Sequence, residues 1–149
     1  MSTQVILLVE DSDDDAELTE RAFRDARITN PVIRARDGIE ALDLLLGRGT
    51  DDGGKRIVAP AIVLLDLNLP RLSGLDLLKA IRSDESTRHI PVVVLTSSTE
   101  DKDRLAAYRE YANSYVRKPL DHQEFVAVSR QLGLYWLALN QPAPSKATE

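Results

Sequence analysis

Residues 62–70 read IVLLDLNLP, in which four consecutive apolar side chains deliver one acidic side chain, Asp66, to the end of a run that reads as a buried strand. A carboxylate at such a position needs a use or a partner. Three other apolar runs end in the same manner. Residues 5–9 lead to Glu10 and Asp11, residues 92–95 to Thr96, and Tyr115 with Val116 to Arg117, Lys118 and Pro119. If these runs are neighbouring parallel strands, Glu10, Asp11, Asp66, Thr96 and Lys118 emerge at one edge of the sheet, where open α/β sheets place their sites.

Helical periodicity fills the stretches between the runs. Leu18, Ala22 and Phe23 mark one buried face over residues 13–26; Ala41, Leu42, Leu45 and Leu46 mark a second helix beginning near Asp37; Leu75, Leu78 and Ile81 mark a third opened by Gly74. Residues 100–111 and 120–139 read as the last two helices. Five β-α units in strict alternation imply a doubly wound parallel sheet with helices on both faces and right-handed crossovers. The polar, glycine-rich residues 47–55, GRGTDDGGK, read as a surface loop inside one domain.

Length and composition agree with that organisation. A chain of 149 residues with 43% hydrophobic content suits a single core, expected over residues 1–139, with a short flexible tail at 140–149 and no output domain. There is no bilayer-length apolar stretch and no signal-peptide pattern, so a cytoplasmic protein with no membrane partner is expected. Cysteine is absent, which removes disulfide and thiolate chemistry. A net charge of −5 without any basic tract gives no electrostatic basis for binding nucleic acid. His89 and His122 have no second histidine or cysteine at ligand spacing and read as surface residues.

The acidic residues carry the chemistry. Carboxylates gathered from different strand ends repel one another, and a hard divalent cation relieves the repulsion by taking their oxygens as ligands. Mg²⁺ fits, with Asp11 and Asp66 as direct ligands and Glu10 acting through water. Asp13, Asp14 and Asp15 read differently, as solvated acids at a helix N-terminus capped by Ser12 or Asp13. A carboxylate beside Mg²⁺ is also a competent nucleophile for in-line attack on a phosphoryl group. The Thr96 hydroxyl and the Lys118 ammonium are donors of the type the transferred oxygens need, although each taken singly is also an ordinary strand-end threonine or surface lysine. Pro119 fixes the loop after Lys118, with a cis peptide as one way of aiming the lysine inward.

Taken together, LLVEDSDDD, IVLLDLNLPRLSG, VVVLTSS and YVRKP resemble the receiver domain of bacterial two-component response regulators, over nearly the whole chain and in the order of that family. The resemblance implies a flavodoxin-like sheet of strand order 2-1-3-4-5. It implies that Asp66 accepts a phosphoryl group from a sensor histidine kinase, and that Mg²⁺ is held by Asp11, Asp66 and the backbone carbonyl of Asn68. Thr96 becomes the switch hydroxyl, Lys118 the phosphate partner, and Tyr115 the aromatic switch, turning from an outward to a buried rotamer. Such a protein catalyses only its own phosphorylation and dephosphorylation and acts through the surface of its fourth helix, fifth strand and fifth helix. The ending LYWLALN and the long loop before the central strand resemble regulators partnered with bacterial phytochrome kinases.

Two rival classes stand beside this one. A Mg²⁺-dependent phosphatase of the haloacid dehalogenase type also uses a strand-end aspartate, but generally has a second Asp where Asn68 stands here. A phosphate-independent interaction module would need none of the five site residues. Finally, Leu132, Tyr135, Trp136 and Leu139 fall at i, i+3, i+4 and i+7, beyond the sheet-facing Phe125, Val126 and Val128. That stripe predicts a homodimer joined through the last helix, the alternative being a helix end folded back on its own domain.

Overall fold

Each short apolar run forms a strand, and each periodic stretch a helix. In the computed structural model, which describes residues 4–47, 57, 59–141 and 143–144, the strands are β1 Ile6–Val9, β2 Val32–Ala35, β3 Ile62–Leu65, β4 Val92–Thr96 and β5 Ser114–Arg117. The helices are α1 Asp13–Asp25, α2 Gly38–Leu46, α3 Gly74–Ser83, α4 Asp101–Arg109 and α5 His122–Leu134, followed by a π-helical segment Tyr135–Leu139. All pairings are parallel, in the order β2-β1-β3-β4-β5. Every residue of β1, β3 and β4 is buried, as expected for strands covered on both faces.

Alternation along the strands builds two cores. Leu7, Val9, Val63, Leu65, Val92 and Val94 face α2 and α3, whose Ala41, Leu45, Leu77, Leu78 and Ile81 complete that cluster. Ile6, Leu8, Ile62, Leu64 and Val93 face the opposite way, toward Ala16 and Phe23 of α1 and Leu132 of α5. Gly133 lets α1 and α5 approach closely, since a Cβ there would strike the side chains of Phe23 and Ile28. No described helix is long and apolar enough to cross a membrane.

Several element limits differ from the periodicity reading. The fourth helix runs over Asp101–Arg109 with Glu100 as its N-cap, and the chain leaves it through Tyr111 at φ 67°, a left-handed conformation that turns the backbone toward β5. The fifth helix begins at His122 because the Asp121 side chain accepts from the Gln123 amide and caps it; Leu120 lies outside and is exposed. Its regular part stops at Leu134, and the π-helical turn then rotates the remaining side chains off the i, i+4 register. The stripe is therefore not continuous: Leu132 and Trp136 pack in part on this domain's own core, whereas Tyr135 and Leu139 are exposed. No described peptide bond is cis, so the cis alternative at Pro119 is not adopted. In the loop read at 47–55, Gly47 closes α2 at φ 73° and the rest lies outside the described residues, as does most of the tail at 140–149.

Candidate functional site

The strand ladders continue one residue past each strand, and this sets the site. The Glu10 amide donates to the Ala35 carbonyl at 3.0 Å, the Asp66 amide to Val9 at 3.2 Å and the Lys118 amide to Thr96 at 2.7 Å. Glu10, Asp66 and Lys118 are thus held by the sheet itself, at its carboxyl edge. Gly74 supports Asp66 from behind, because a Cβ on it would collide with the Asp66 carbonyl and the Leu67 backbone. The Asn68 amide donates to Asp66 Oδ1 at 3.1 Å, which orients the carboxylate.

Lys118 is the centre of the arrangement. Its Nζ donates to Glu10 Oε1 at 2.7 Å, Asp15 Oδ2 at 2.9 Å and Asp66 Oδ2 at 2.9 Å. Glu10, Asp66 and Lys118 are buried. Burial alone would lower the lysine's proton affinity, but its hydrogen bonds to Glu10 and Asp66 and their charges hold it above the usual range, so it is a fixed cation. Glu10 is pushed up to about 7 by burial, against the hydrogen bond and charge of Lys118 and with the charge of Asp66 adding to the rise. Asp11 is exposed, and carboxylate oxygens of Glu10, Asp11 and Asp66 lie within 4.8 Å of one another. Against the one ammonium stand the carboxylates of Glu10, Asp11, Asp15 and Asp66, an excess of negative charge that suits a hard cation on the Glu10, Asp11 and Asp66 side.

Thr96 is fully buried at the end of β4, and its Oγ1 accepts from the Ser98 amide at 3.3 Å. Ser98 Oγ in turn donates to Asp103 Oδ2 at 2.6 Å and accepts from the Glu100 amide. A chain of hydroxyl contacts therefore leads from the strand end to the start of α4. The Tyr115 ring already packs against the core, with its hydroxyl shielded from solvent, rather than pointing outward. Two surface cavities, of about 540 and 240 Å³, lie beside α3, the second also against α4, and are lined by none of the cluster residues.

Asp15, expected as a solvated acid, instead turns inward to Lys118. Asp13, Asp14 and Asp15 all precede the apolar face of α1, but they have different surroundings. Asp13 is taken by Arg34 and Arg36, each at 2.7 Å, whose guanidinium groups hold its carboxyl below the usual range, while Asp14 is exposed. Asp15 shares a face with Leu18, Thr19 and Ala22 at i+3, i+4 and i+7, the latter two buried, and that spacing was a usable sign that it turns inward.

A doubly wound 2-1-3-4-5 sheet carrying an acid trio and a paired lysine at its carboxyl edge defines a class. The chain belongs to the response regulator receiver domain family, whose model matches residues 6–130. Within the family it is 42% identical over 142 residues to the probable methanogenesis regulatory protein FilR2 of Methanothrix harundinacea, covering 95% of this chain and 89% of that one. It superposes on the Mn²⁺-bound form of the response regulator Rcp1 with a TM-score of 0.86 at 33% identity, over 95% of this chain and 99% of that one; Rcp1 is a Synechocystis protein. The bacteriophytochrome response regulator RtBRR is 43% identical, with a TM-score of 0.73 over 99% of this chain and 88% of that one.

Proposed function

We propose that this receiver accepts a phosphoryl group on Asp66 from a phosphohistidine of a sensor histidine kinase, and that the kinase is a bacteriophytochrome. The observation that carries the first part is the Lys118 ammonium held 2.9 Å from the buried Asp66 carboxylate among an excess of acids. The similarity to RtBRR supports the second part. In the transfer, an Asp66 oxygen forms the bond to phosphorus as the phosphorus–nitrogen bond breaks and its electron pair returns to the imidazole. Lys118 meets the charge on the transferred oxygens. The Thr96 hydroxyl, which accepts from the Ser98 amide, donates its own proton to a phosphoryl oxygen and is drawn toward it. Mg²⁺, held by Asp11, Asp66 and the Asn68 carbonyl with Glu10 through water, would supply positive charge that offsets repulsion between nucleophile and phosphoryl donor.

The output is a shift of population. As Thr96 is drawn toward the phosphoryl group, its contact with Ser98 draws the loop 97–100 with it, and α4, which buries only Ala107, follows. A second copy of the chain is the expected partner at the C-terminal segment that includes Leu132, Tyr135, Trp136 and Leu139.

The test is incubation with acetyl phosphate and Mg²⁺, followed by intact-mass measurement. One phosphoryl group should appear, and should be lost on Asp66→Asn or on chelation. Labelling of Asp66→Asn at full extent would remove the assignment; turnover of small phosphomonoesters would mark a phosphatase, and no labelling an inert module. For the kinase, phosphotransfer from an autophosphorylated bacteriophytochrome should depend on the light state of that kinase.

A further inference from the structure

We infer that the trough between α3 and α4 docks a short acidic segment of a partner protein, one that carries apolar side chains on the same face as its carboxylates. Two helix faces build the trough. Leu75, Lys79 and Arg82 fall at i, i+4 and i+7 on α3, and Lys102, Leu105, Ala106 and Arg109 at i, i+3, i+4 and i+7 on α4. The two cavities beside these faces share Lys79 and Glu110, so they are continuous. The protein's own core does not account for the α4 face, since that helix buries only Ala107 and Leu105 is 52% exposed.

Charge identifies the occupant. The chain as a whole carries a net charge of −5, yet the trough is lined by Arg88 and the four cations of the two faces against the one carboxylate of Glu110. Of these cations only Lys102 has an acidic partner among the described residues, Glu100 at 3.3 Å, and that pair is exposed. Arg82 is half-buried, and its guanidinium donates to the carbonyls of Tyr111, Arg88 and Ile90 and to the Asn113 side-chain oxygen, all neutral. A cation drawn out of water without a counter-ion is costly, and an incoming carboxylate supplies one. Arg82 and Arg109 stand in last helical turns, where the dipole also favours a cation; Lys79 and Arg88 have no such reason. A small anion meets one or two of these groups only, because each face runs over about 10 Å of helix. Nucleic acid needs an unbroken basic strip, which Leu75, Leu105 and Ala106 interrupt. An acidic segment with apolar side chains serves both halves, its carboxylates on the cations and its apolar groups over the leucines.

The probe is a fluorescein-labelled amphipathic peptide with Glu and Leu on one helical face, compared by anisotropy with a copy in which Gln replaces every Glu. The full chain should bind the acidic peptide with a Kd of about 10–50 µM and the Gln copy about tenfold more weakly. Lys79→Glu with Arg109→Glu should weaken the acidic peptide about tenfold, the scale of two reversed surface contacts, whereas Arg21→Glu with Arg24→Glu, the same charge change on α1, should stay within about twofold of the parent. Amide chemical shifts should move at residues 75–82 and 102–110. If the reversed pair has a lower Tm, Lys79→Gln with Arg109→Gln carries the comparison, with a loss of about threefold. Equal binding of the two peptides, equal losses in the α1 and trough variants, or shifts confined to other residues would overturn the inference. Displacement of the peptide by a single-stranded oligonucleotide of equal charge at equal concentration would make the trough a general polyanion surface and overturn it as well.

Discussion

At the scale of single residues, Glu10 is buried against a cation and beside a like charge, and its folded-state value near 7 exceeds its ordinary value of 4.5. A carboxyl whose proton affinity rises on folding stabilises the fold fully below its unfolded value, and that contribution is lost as pH rises through the folded value. Metal-free protein should accordingly lose stability between about pH 4.5 and 7, read as a falling urea midpoint in the presence of a chelator. Glu10→Gln should flatten that slope. Asp13, lowered by Arg34 and Arg36, acts below pH 3.8 and leaves this window untouched. A slope unchanged in Glu10→Gln would mean that another group carries it. The positions of Glu10, Asp66 and Thr96 were legible because each directly follows an apolar run, and that of Lys118 because it stands one residue beyond Tyr115 and Val116, a strand end being one point in sequence and in space. Asp15 was read wrongly, as a solvated acid, since three successive acids in a first helical turn point three ways and local charge preference explains them all. The Tyr115 rotamer was beyond reach for a different reason: it depends on neighbours from other elements, not on its strand.

At the scale of elements, the β3–α3 junction ties stability to chemistry. The Gly74 amide donates to the Leu67 carbonyl at 2.9 Å, and the absent Cβ is what allows the backbone carrying Asp66 to lie against the helix start. Gly74→Ala should cost about 1–3 kcal/mol, the usual range for forcing a methyl into a packed site, and should slow acetyl phosphate labelling because Asp66 must shift. Normal labelling kinetics in a destabilised Gly74→Ala would separate the two effects and remove the link. At α4 the prediction concerns coupling. Beryllofluoride should change amide hydrogen exchange at residues 97–109 in the parent and not in Thr96→Ala, even though that variant still binds, because the Thr96 to Ser98 contact is the first link to the helix. Equal changes in both proteins would place the coupling elsewhere. Helix existence was legible from the spacing of apolar side chains, but the helix limits depended on caps. Asp121 capping α5 and Tyr111 in a left-handed turn after α4 are local backbone choices that periodicity does not encode.

At the scale of the whole molecule, the alternation of five short apolar runs with helical stretches carried the fold, because a parallel strand has to be reached by a crossover and a buried strand has to be apolar on both faces. What it did not carry was the end of α5, where the same side chains serve either the core or a partner. The π-helical segment divides them. Trp136 and Leu137 turn back onto the α1 side of the core, while Leu134, Tyr135 and Leu139 remain 38%, 50% and 69% exposed. Tyr135 meets Trp136 edge to face, with ring centroids 5.2 Å apart, so the exposed tyrosine is held rigid by a ring that is itself anchored. A rigid tyrosine flanked by exposed leucines is the composition of an interface anchor, and a two-fold pairing would bury this patch against its own copy. The protein is thus expected to be a dimer at about 50 µM, the range in which a modest interface holds. Because Trp136 also serves the core, the informative variant is Tyr135→Glu with Leu139→Glu, which should give a monomer of near-parental Tm. Labelling at Asp66 should persist in it, since α5 runs back from the sheet edge that carries the site. Light scattering showing the parent to be monomeric at that concentration, with and without beryllofluoride, would return the patch to the status of ordinary surface.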